Sequence, residues 1–270
     1  MHLSRGFISL VMTIGLLSPI VSMAMPPTLV AYEPVMPKRL LSLDMCMDWL
    51  VSYHIGPEHV VALSPLWLRY PRPGEHRDWQ THNGSLEQIY KMQPDLVLAG
   101  QYNALLLRKR LSALGIKVAV IDLPVSLSEV EQYERRVLTL LGLPVDRATP
   151  APLATALPEN APQLLLLGAN GIGTGLGTFE NQLIELAGWR NYLESQGYVN
   201  LDLEEIARRP PDAIAWSAPA SPALANRFKS HPVLQSVVPQ EKWLDVDYWR
   251  WQCPGPWMWE LVEQLKQWHD

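Results

Sequence analysis

The chain is poor in cysteine, phenylalanine and basic charge. Two cysteines among 270 residues allow a single intrachain disulfide and fit an oxidising compartment. The 22 Lys and Arg residues are outnumbered by 27 Asp and Glu residues, which gives a formal net charge of −5. This balance disfavours nucleic acid or an anionic membrane surface as the main partner. Phe is rare (3) but Trp is abundant (11), so some Trp rings should lie at a surface or cleft.

Sequence motifs for catalysis and cofactor binding are also missing. There is no HExxH or CxxC pattern, which leaves zinc chemistry with little support and predicts no metal site. We find no G-x-S-x-G elbow, and the glycine run at residues 170–178 lacks G-x-G-x-x-G spacing. We interpret that run as a flexible loop whose backbone amides approach a ligand. The sequence therefore predicts a protein that is not an enzyme and carries no cofactor, although an enzyme remains the main rival class.

The first 24 residues have the layout of a cleaved signal peptide. One basic residue, Arg5, precedes an apolar run over Phe7–Val21, and small residues occupy positions 22 and 24. The run is too short and too interrupted for a spanning helix, and no second apolar stretch of membrane length follows. We expect a secreted protein whose mature chain is soluble.

The rest of the chain alternates short apolar runs with segments of helical spacing, which is typical of α/β proteins with a parallel sheet. The predicted strands are 39–43, 59–64, 95–99, 117–121, 163–168, 212–216 and 242–246. The predicted helices are 44–53, 85–92, 104–114, 126–141, 178–187, 203–208 and 256–269, with Asp44 as the cap of the first. Between the halves, residues 145–162 contain four prolines and predict an irregular linker. We expect lobes at 25–144 and 163–270.

An internal repeat supports two lobes built alike. Leu86-Glu87-Gln88-Ile89 leads to Pro94-Asp95, and Leu203-Glu204-Glu205-Ile206 leads to Pro211-Asp212. Five residue types recur at one offset of 117 residues. Helix, Pro-Asp, strand is common in α/β proteins, but the shared register favours duplication.

The sequence resembles the periplasmic substrate-binding proteins of ABC importers that carry vitamin B12, ferric siderophores and haem. The segments that carry the resemblance are residues 38–43, 84–89 with 94–97, 114–118, 177–191, and 231–234 with 251–256. The resemblance covers nearly all of the expected mature chain. It rests on the order of these segments, because no single one is decisive.

The resemblance implies a fold and a transport role. It predicts an α/β protein of two similar Rossmann-like lobes with a ligand cleft between them, located in the periplasm and monomeric. Its partners would be an ABC permease of the inner membrane and a metal chelate or corrinoid (cobalamin, a ferric siderophore or haem). In the family, one acidic residue on each lobe contacts the permease, and the matching positions are Glu87 and Glu204. Both could instead only cap their helices. One departure is the linker at 145–162, which is shortened and Pro-rich where the family has a long helix.

Aromatic residues in the predicted loops suggest the ligand surface. Trp and Tyr supply broad apolar platforms with a polar edge, which suits a flat ligand, although some of these rings could be lobe core. The candidate ligand-binding residues are Trp67, Tyr70, Trp79, Tyr102, Trp249 and Trp251.

Basic and metal-binding side chains near these loops leave several interpretations open. Arg69, Arg72, Arg77 and Arg250 could pair with ligand carboxylates or form local ion pairs. His82 and Tyr102 could reach the metal of a bound chelate.

The two cysteines and the functional class also leave alternatives. Cys46 and Cys253 could form an interlobe disulfide or stay reduced near the ligand. The alternatives to a transport role are a periplasmic enzyme and an envelope interaction module on the same fold.

Overall fold

The two halves of the chain build two separate sheets. The structure is a computed structural model, and it describes residues 35–153, 156–218 and 224–269; the predicted signal peptide lies outside these residues. The first sheet is entirely parallel, with strand order β2-β1-β3-β4. Its strands are β1 (Leu40–Ser42), β2 (Val60–Ala62), β3 (Leu96–Gly100) and β4 (Val118–Ile121).

The second sheet is mixed. Its strands are β5 (Gln163–Leu167), β6 (Ile172–Thr174), β7 (Arg190–Asn191), β8 (Tyr198–Asn200), β9 (Ala213–Trp216) and β10 (Trp243–Asp245). The main order is β10-β9-β5-β6-β8, in which β5, β9 and β10 are parallel and β6 is antiparallel to β5 and β8. Strand β7 adds to β5 in parallel. The order β10-β9-β5-β7 therefore matches β4-β3-β1-β2 of the first sheet.

Helices connect the strands in both halves, as the alternating pattern predicts. They are α1 (Met45–His54), α2 (Leu86–Lys91), α3 (Leu105–Ala113), α4 (Leu127–Leu140), α5 (Phe179–Leu186), α6 (Leu203–Arg208), α7 (Pro232–Val237), α8 (Tyr248–Gln252) and α9 (Trp257–His269). Asp44 caps α1 by accepting a hydrogen bond from the backbone N–H of Met47, as predicted. No helix in the described ranges is long and apolar enough to cross a membrane.

The repeat has the same structure in both halves. Helices α2 and α6 each have six residues, and a side chain at the same repeat position caps each of them, Ser85 in one and Asp202 in the other. Ile89 and Ile206, also equivalent, are 0% and 1% exposed and anchor their helices in the core. The matching positions thus perform matching packing roles.

The Pro-Asp pair of the repeat ties two strands together in each half. The Asp95 carboxylate accepts hydrogen bonds from the backbone N–H groups of Lys38 and Arg39, at the entry to β1. In the second half, the Asp212 carboxylate accepts the N–H of Gln163, the first residue of β5, at 2.7 Å. Backbone bonds return from Asp95 to Arg39 and from Asp212 to Gln163. A carboxylate that accepts backbone N–H groups fixes the register of the paired strands.

One hydrophobic core joins the two sheets, and the described residues form one compact unit. The Trp49 ring of α1 packs edge-on against the Trp257 ring of α9, with ring centroids 5.1 Å apart. Helix α4 contacts both α1 and α5, and so lies against both halves of the chain. This packing couples the lobes more firmly than the proline-rich linker suggests.

A buried carboxylate ties the start of the linker to two helices. The side chains of His54 on α1 and Glu134 on α4 are buried and lie 2.9 Å apart. The other Glu134 oxygen accepts the backbone N–H of Thr149, in the linker, at 2.9 Å. A single buried carboxylate therefore connects α1, α4 and the linker.

The second half contains elements that the sequence pattern did not predict. Part of the glycine run, read as a flexible loop, forms strand β6 and pairs with β8. A Cβ on Gly175 would lie 2.0 Å from the Ser195 carbonyl oxygen, so this glycine lets two backbone segments approach each other. The segment after β10, read as a loop, forms the short helix α8, which Asp247 caps.

Candidate functional site

A pocket of about 510 Å³ lies where the two halves meet at the carboxyl ends of β9 and β10. The Tyr70 ring comes from the first half and the Trp249 ring from α8, and their centroids are 4.9 Å apart. Tyr248 packs edge-on against Trp249 at 4.6 Å. The other lining residues are Trp216, Ala218, Asn226, Lys229, Asp245, Val246 and Asp247. The volume and the aromatic wall suit a small organic ligand.

A second pocket of about 360 Å³ continues along the same edge of the second sheet and shares Tyr248 with the first. It is lined by Leu166, Gly168, Ala169, Ile172, Thr174, Glu180, Tyr198, Ser217, Tyr248, Trp251 and Gln252. The residues after β5, the unpredicted strands β6 and β8, and helix α8 supply most of this wall. We call the two pockets together the cleft.

Glu180 is the buried charged group of this second pocket. The Tyr198 hydroxyl donates to both of its carboxylate oxygens at 2.9 Å, and Gln252 Nε2 donates to one of them at 3.3 Å. Burial raises the pKa of the Glu180 carboxyl, and the hydrogen bonds from Tyr198 and Gln252 oppose that rise. Burial also raises the pKa of Tyr248, with the nearby Glu180 charge adding to it.

The matching edge of the first sheet exposes apolar side chains. Leu66 and Leu68 follow β2 and are 45% and 74% exposed. Tyr102, Leu105 and Leu106 follow β3 and are 71%, 57% and 75% exposed. Since ligands of parallel sheets gather beyond the carboxyl ends of the strands, this edge offers an apolar surface to the ligand.

Beneath that edge lies a buried acidic network. Asp48 on α1 is 0% exposed, and it accepts hydrogen bonds from the Ser64 N–H at 2.9 Å and the Ser64 hydroxyl at 2.6 Å. Burial raises the pKa of Asp48 to about 7, against the lowering effect of the Ser42 and Ser64 hydrogen bonds. Asp44 accepts the N–H of Gly100, and burial raises the pKa of its carboxyl too. Through these hydrogen bonds the two carboxyls connect the start of α1 to the loop after β2 and to the last residue of β3.

Five of the six predicted aromatic residues divide into two groups, and the sixth, Tyr102, is exposed at the edge of the first sheet. Tyr70, Trp249 and Trp251 line the cleft, with Trp251 only 1% exposed. Trp67 and Trp79 are 6% and 9% exposed and pack on each other at 5.9 Å, which favours the alternative that they are lobe core.

The predicted arginine and histidine candidates are mostly occupied by protein contacts. Arg72 and Arg77 form ion pairs with the same carboxylate, that of Glu75, and the hydrogen bond from Arg77 is the main reason that the Glu75 pKa falls to about 2. His82 donates from Nε2 to the Ser42 carbonyl at 2.9 Å and accepts the Gly84 N–H on Nδ1. Both ring nitrogens are thus engaged, so the suggestion that His82 reaches a metal is wrong in this structure.

Two further cations lie near the cleft. Arg250 pairs with Glu260 at 3.6 Å. The exposed Arg69 guanidinium lies over the Tyr70 ring, 5.1 Å from its centroid. Within the described ranges, no group of three or more His, Cys, Asp and Glu side chains converges as a metal site would.

The two cysteines lie on opposite halves and are bonded to each other. Cys46, at the start of α1, and Cys253, directly after α8, form a disulfide with a Cα–Cα distance of 4.8 Å. Helix α8 carries Tyr248, Trp249 and Trp251, so the disulfide ties this aromatic wall to the first half of the chain. Of the two alternatives for the cysteines, the structure has the interlobe disulfide.

The two repeat glutamates are exposed. Glu87 and Glu204 each lie in the first turn of a short helix, and within the described residues neither forms an ion pair. The neighbouring Glu205, in contrast, pairs with Arg208 at 3.1 Å. Both glutamates are therefore available to an external partner.

Four residues of the cleft lie outside the predicted set of ligand-binding residues: Glu180, Tyr198, Tyr248 and Lys229. Glu180 lies two residues after Thr178, a predicted helix start, where an acidic side chain ordinarily faces solvent and interacts with the helix dipole. Its burial under Tyr198 depends on the β6–β8 pair. The alternating pattern gave no signal for that pair.

Comparison with known proteins supports the fold strongly at low sequence identity. No protein-family model matches the chain, and no curated protein matches its sequence. Among solved structures, a periplasmic haem-binding protein from Roseiflexus sp. RS-1 matches with a TM-score of 0.65 and 18% identity, over 86% of this chain and 99% of that one.

Two other solved structures match over similar spans. A periplasmic haem-binding protein from Pseudomonas aeruginosa has a TM-score of 0.61 and 19% identity, with 87% of this chain and 92% of that one covered. The periplasmic vitamin B12-binding protein of Vibrio cholerae has a TM-score of 0.53 and 17% identity, with 87% and 98% covered. Together with the two sheets, the repeat and the cleft, these matches show that the chain has the two-lobed α/β fold of these periplasmic binding proteins.

Proposed function

We propose that this protein is the periplasmic substrate-binding component of an ABC uptake system. It captures a metal chelate or corrinoid, such as cobalamin, a ferric siderophore or haem, and delivers it to a membrane permease. The observation that carries this proposal is the aromatic cleft, in which Tyr70 of one lobe and Trp249 of the other lie 4.9 Å apart. A flat, largely apolar ligand would pack on such rings.

The structural neighbours support this ligand range. Proteins with this fold include ones named for haem and for vitamin B12. From the sequence we further propose lobes at 25–144 and 163–270, a cleaved leader at 1–24, a monomeric state, and no catalytic activity.

Exposed acidic side chains on both lobes support docking to a permease. Glu87 and Glu204 occupy equivalent positions of the repeat, and neither is held by an ion pair among the described residues. Paired acidic positions on two lobes would contact basic residues of a permease and would fix the orientation of docking.

Tryptophan fluorescence titration of the purified protein with cobalamin, haem and ferric siderophores tests the proposal. We expect saturable quenching by at least one ligand, with Tyr70→Ala and Trp249→Ala each weakening affinity by about tenfold or more because each removes one face of the aromatic wall. Leu153→Ala, an exposed position far along the chain from these rings, serves as the control and should leave affinity unchanged. Silence across the panel, with turnover of some substrate, would contradict the proposal and favour an enzyme.

A further inference from the structure

The second pocket of the cleft holds a buried carboxylate with no cationic neighbour in its wall. Glu180 is 4% exposed, and none of the described residues that line this pocket is Lys, Arg or His. Its side-chain partners, Tyr198 and Gln252, are both themselves exposed residues of the cleft. A carboxylate buried in this way repels anions and retains capacity to accept further hydrogen bonds.

The adjoining pocket does not reverse this charge. It contains two carboxylates, Asp245 and Asp247, and one cation, Lys229. Lys229 forms an ion pair with Asp245 and is thereby neutralised locally. The lining of both pockets together is therefore acidic. Of the three cations described at the cleft, Lys229 and Arg250 are held in ion pairs, which leaves Arg69 to receive an anionic ligand.

Two hydrogen-bond donors in the cleft wall also lack acceptors. The indole N–H groups of Trp249 and Trp251 are buried and have no partner among the described residues. A primary carboxamide offers both N–H donors for a carboxylate and a carbonyl oxygen for an indole. A ligand carboxylate offers acceptors only, and its charge would oppose that of Glu180.

We propose that Glu180 is a specificity-determining residue, which accepts N–H donors from a ligand with carboxamide side chains and disfavours ligands with carboxylate side chains. This inference rests on the proposed function, since it names the ligand class of the same cleft. A corrinoid, whose ring carries carboxamides, fits this chemistry. Haem, whose ring carries two propionates, fits it poorly.

A matched pair of ligands tests the inference directly. Cobyrinic acid heptaamide and cobyrinic acid share one corrin macrocycle and differ only in whether its side chains end in carboxamides or in carboxylic acids. We expect the wild-type protein to bind the amidated form at least about tenfold more tightly, measured by tryptophan fluorescence, because a hydrogen bond to a charged acceptor is stronger than one between neutral groups.

Variants of Glu180 locate the effect. Glu180→Gln removes the charge and should shrink the preference for the amidated form to less than about threefold, partly by strengthening binding of the acid form. Glu185→Gln is the control, because Glu185 lies on the same helix and bonds to Asn181 instead of lining the cleft. Glu180→Asp keeps the charge but shortens the side chain by one methylene. It should therefore weaken binding of the amidated ligand while still disfavouring binding of the acid form. Thermal unfolding of each variant shows whether it is folded before binding is compared.

Three outcomes would overturn the inference. The first is tighter binding of the acid form or of haem by the wild-type protein, with the preference lost in Arg69→Gln, which would place specificity at the rim. The second is an unchanged preference in a folded Glu180→Gln protein. The third is binding of ferric siderophores alone, which would leave the proposed function standing and remove Glu180 as the selector. If no ligand of the panel binds, the proposed function itself fails.

Discussion

The two lobes share a frame but differ in what they present to the cleft. In both, a short capped helix buries one isoleucine and a Pro-Asp pair ties the neighbouring strands together. At the carboxyl edge of the sheet the likeness ends. The first lobe has exposed apolar side chains above the buried Asp44–Asp48 network, whereas the second has two extra strands, α8 and Glu180. The repeated parts hold the fold, and the parts that differ supply the binding chemistry.

The strongest test of this comparison is truncation of the matched core residues. Ile89→Ala and Ile206→Ala should each lower the free energy of unfolding by about 3 kcal/mol, because each leaves a cavity at an equivalent, fully buried position. Urea unfolding of the disulfide-intact protein measures both. The exposed neighbours Tyr90→Ala and Glu204→Ala are the controls and should cost far less.

Unequal results would break the comparison. If the losses in free energy of unfolding differ by more than about 2 kcal/mol, the two copies of the repeat do not stabilise their lobes equally. A biphasic transition would mean that the lobes unfold separately despite their common core.

An intermediate effect on stability is expected from Asp48, a buried acid of the first lobe. The pKa of Asp48 is raised to about 7 by burial, against a usual value of 3.8. Between these two values the folded protein keeps a proton that the unfolded chain releases, so this group makes stability fall as the pH rises from about 4 to 7. The contribution is on the order of 3 kcal/mol across that window.

Asp48→Asn isolates this contribution, because the amide keeps the shape of the side chain and does not titrate. We expect its stability to depend less on pH than that of the wild-type protein between pH 4 and 7, measured by urea unfolding at several pH values. Glu180→Gln gives the second-lobe counterpart with the same sign, since burial raises the pKa of Glu180 too. Parallel profiles for wild-type and Asp48→Asn proteins would show that Asp48 is ionised throughout.

The smallest structural effect is expected at the glutamates that the repeat places on the surface. Glu87→Gln combined with Glu204→Gln should change stability by less than about 0.5 kcal/mol, because both side chains are exposed. Ligand affinity should stay unchanged while uptake through the permease is lost. Glu205→Gln, at the neighbouring position on α6, is the control and should support normal uptake. Loss of ligand affinity in the double variant would show that these residues belong to the cleft instead.

Much of the frame could be predicted because it depends on local patterns. The alternation of apolar runs and helical spacing predicted the parallel strands, and Asp44 was identified as a cap because capping involves only nearby backbone groups. The repeat identified Asp95 and Asp212 as equivalent before their shared contacts were visible. The strands β6 and β8 escaped prediction because glycines obscure the strand pattern, and α8 escaped because five aromatic and polar residues carry little helical signal.

The candidate site shows the same difference between what local patterns predict and what tertiary contacts decide. Sequence alone determined that the chain alternates strands and helices, repeats itself, and carries many aromatic side chains in its loops. Only the tertiary structure decided that Trp67 and Trp79 are buried while Tyr70 and Trp249 contact each other across the lobes. It also decided that Cys46 meets Cys253 and that Glu180 is buried under Tyr198. Periodicity and capping act between residues close in the chain, whereas burial and side-chain partners depend on segments that only the folded chain brings together.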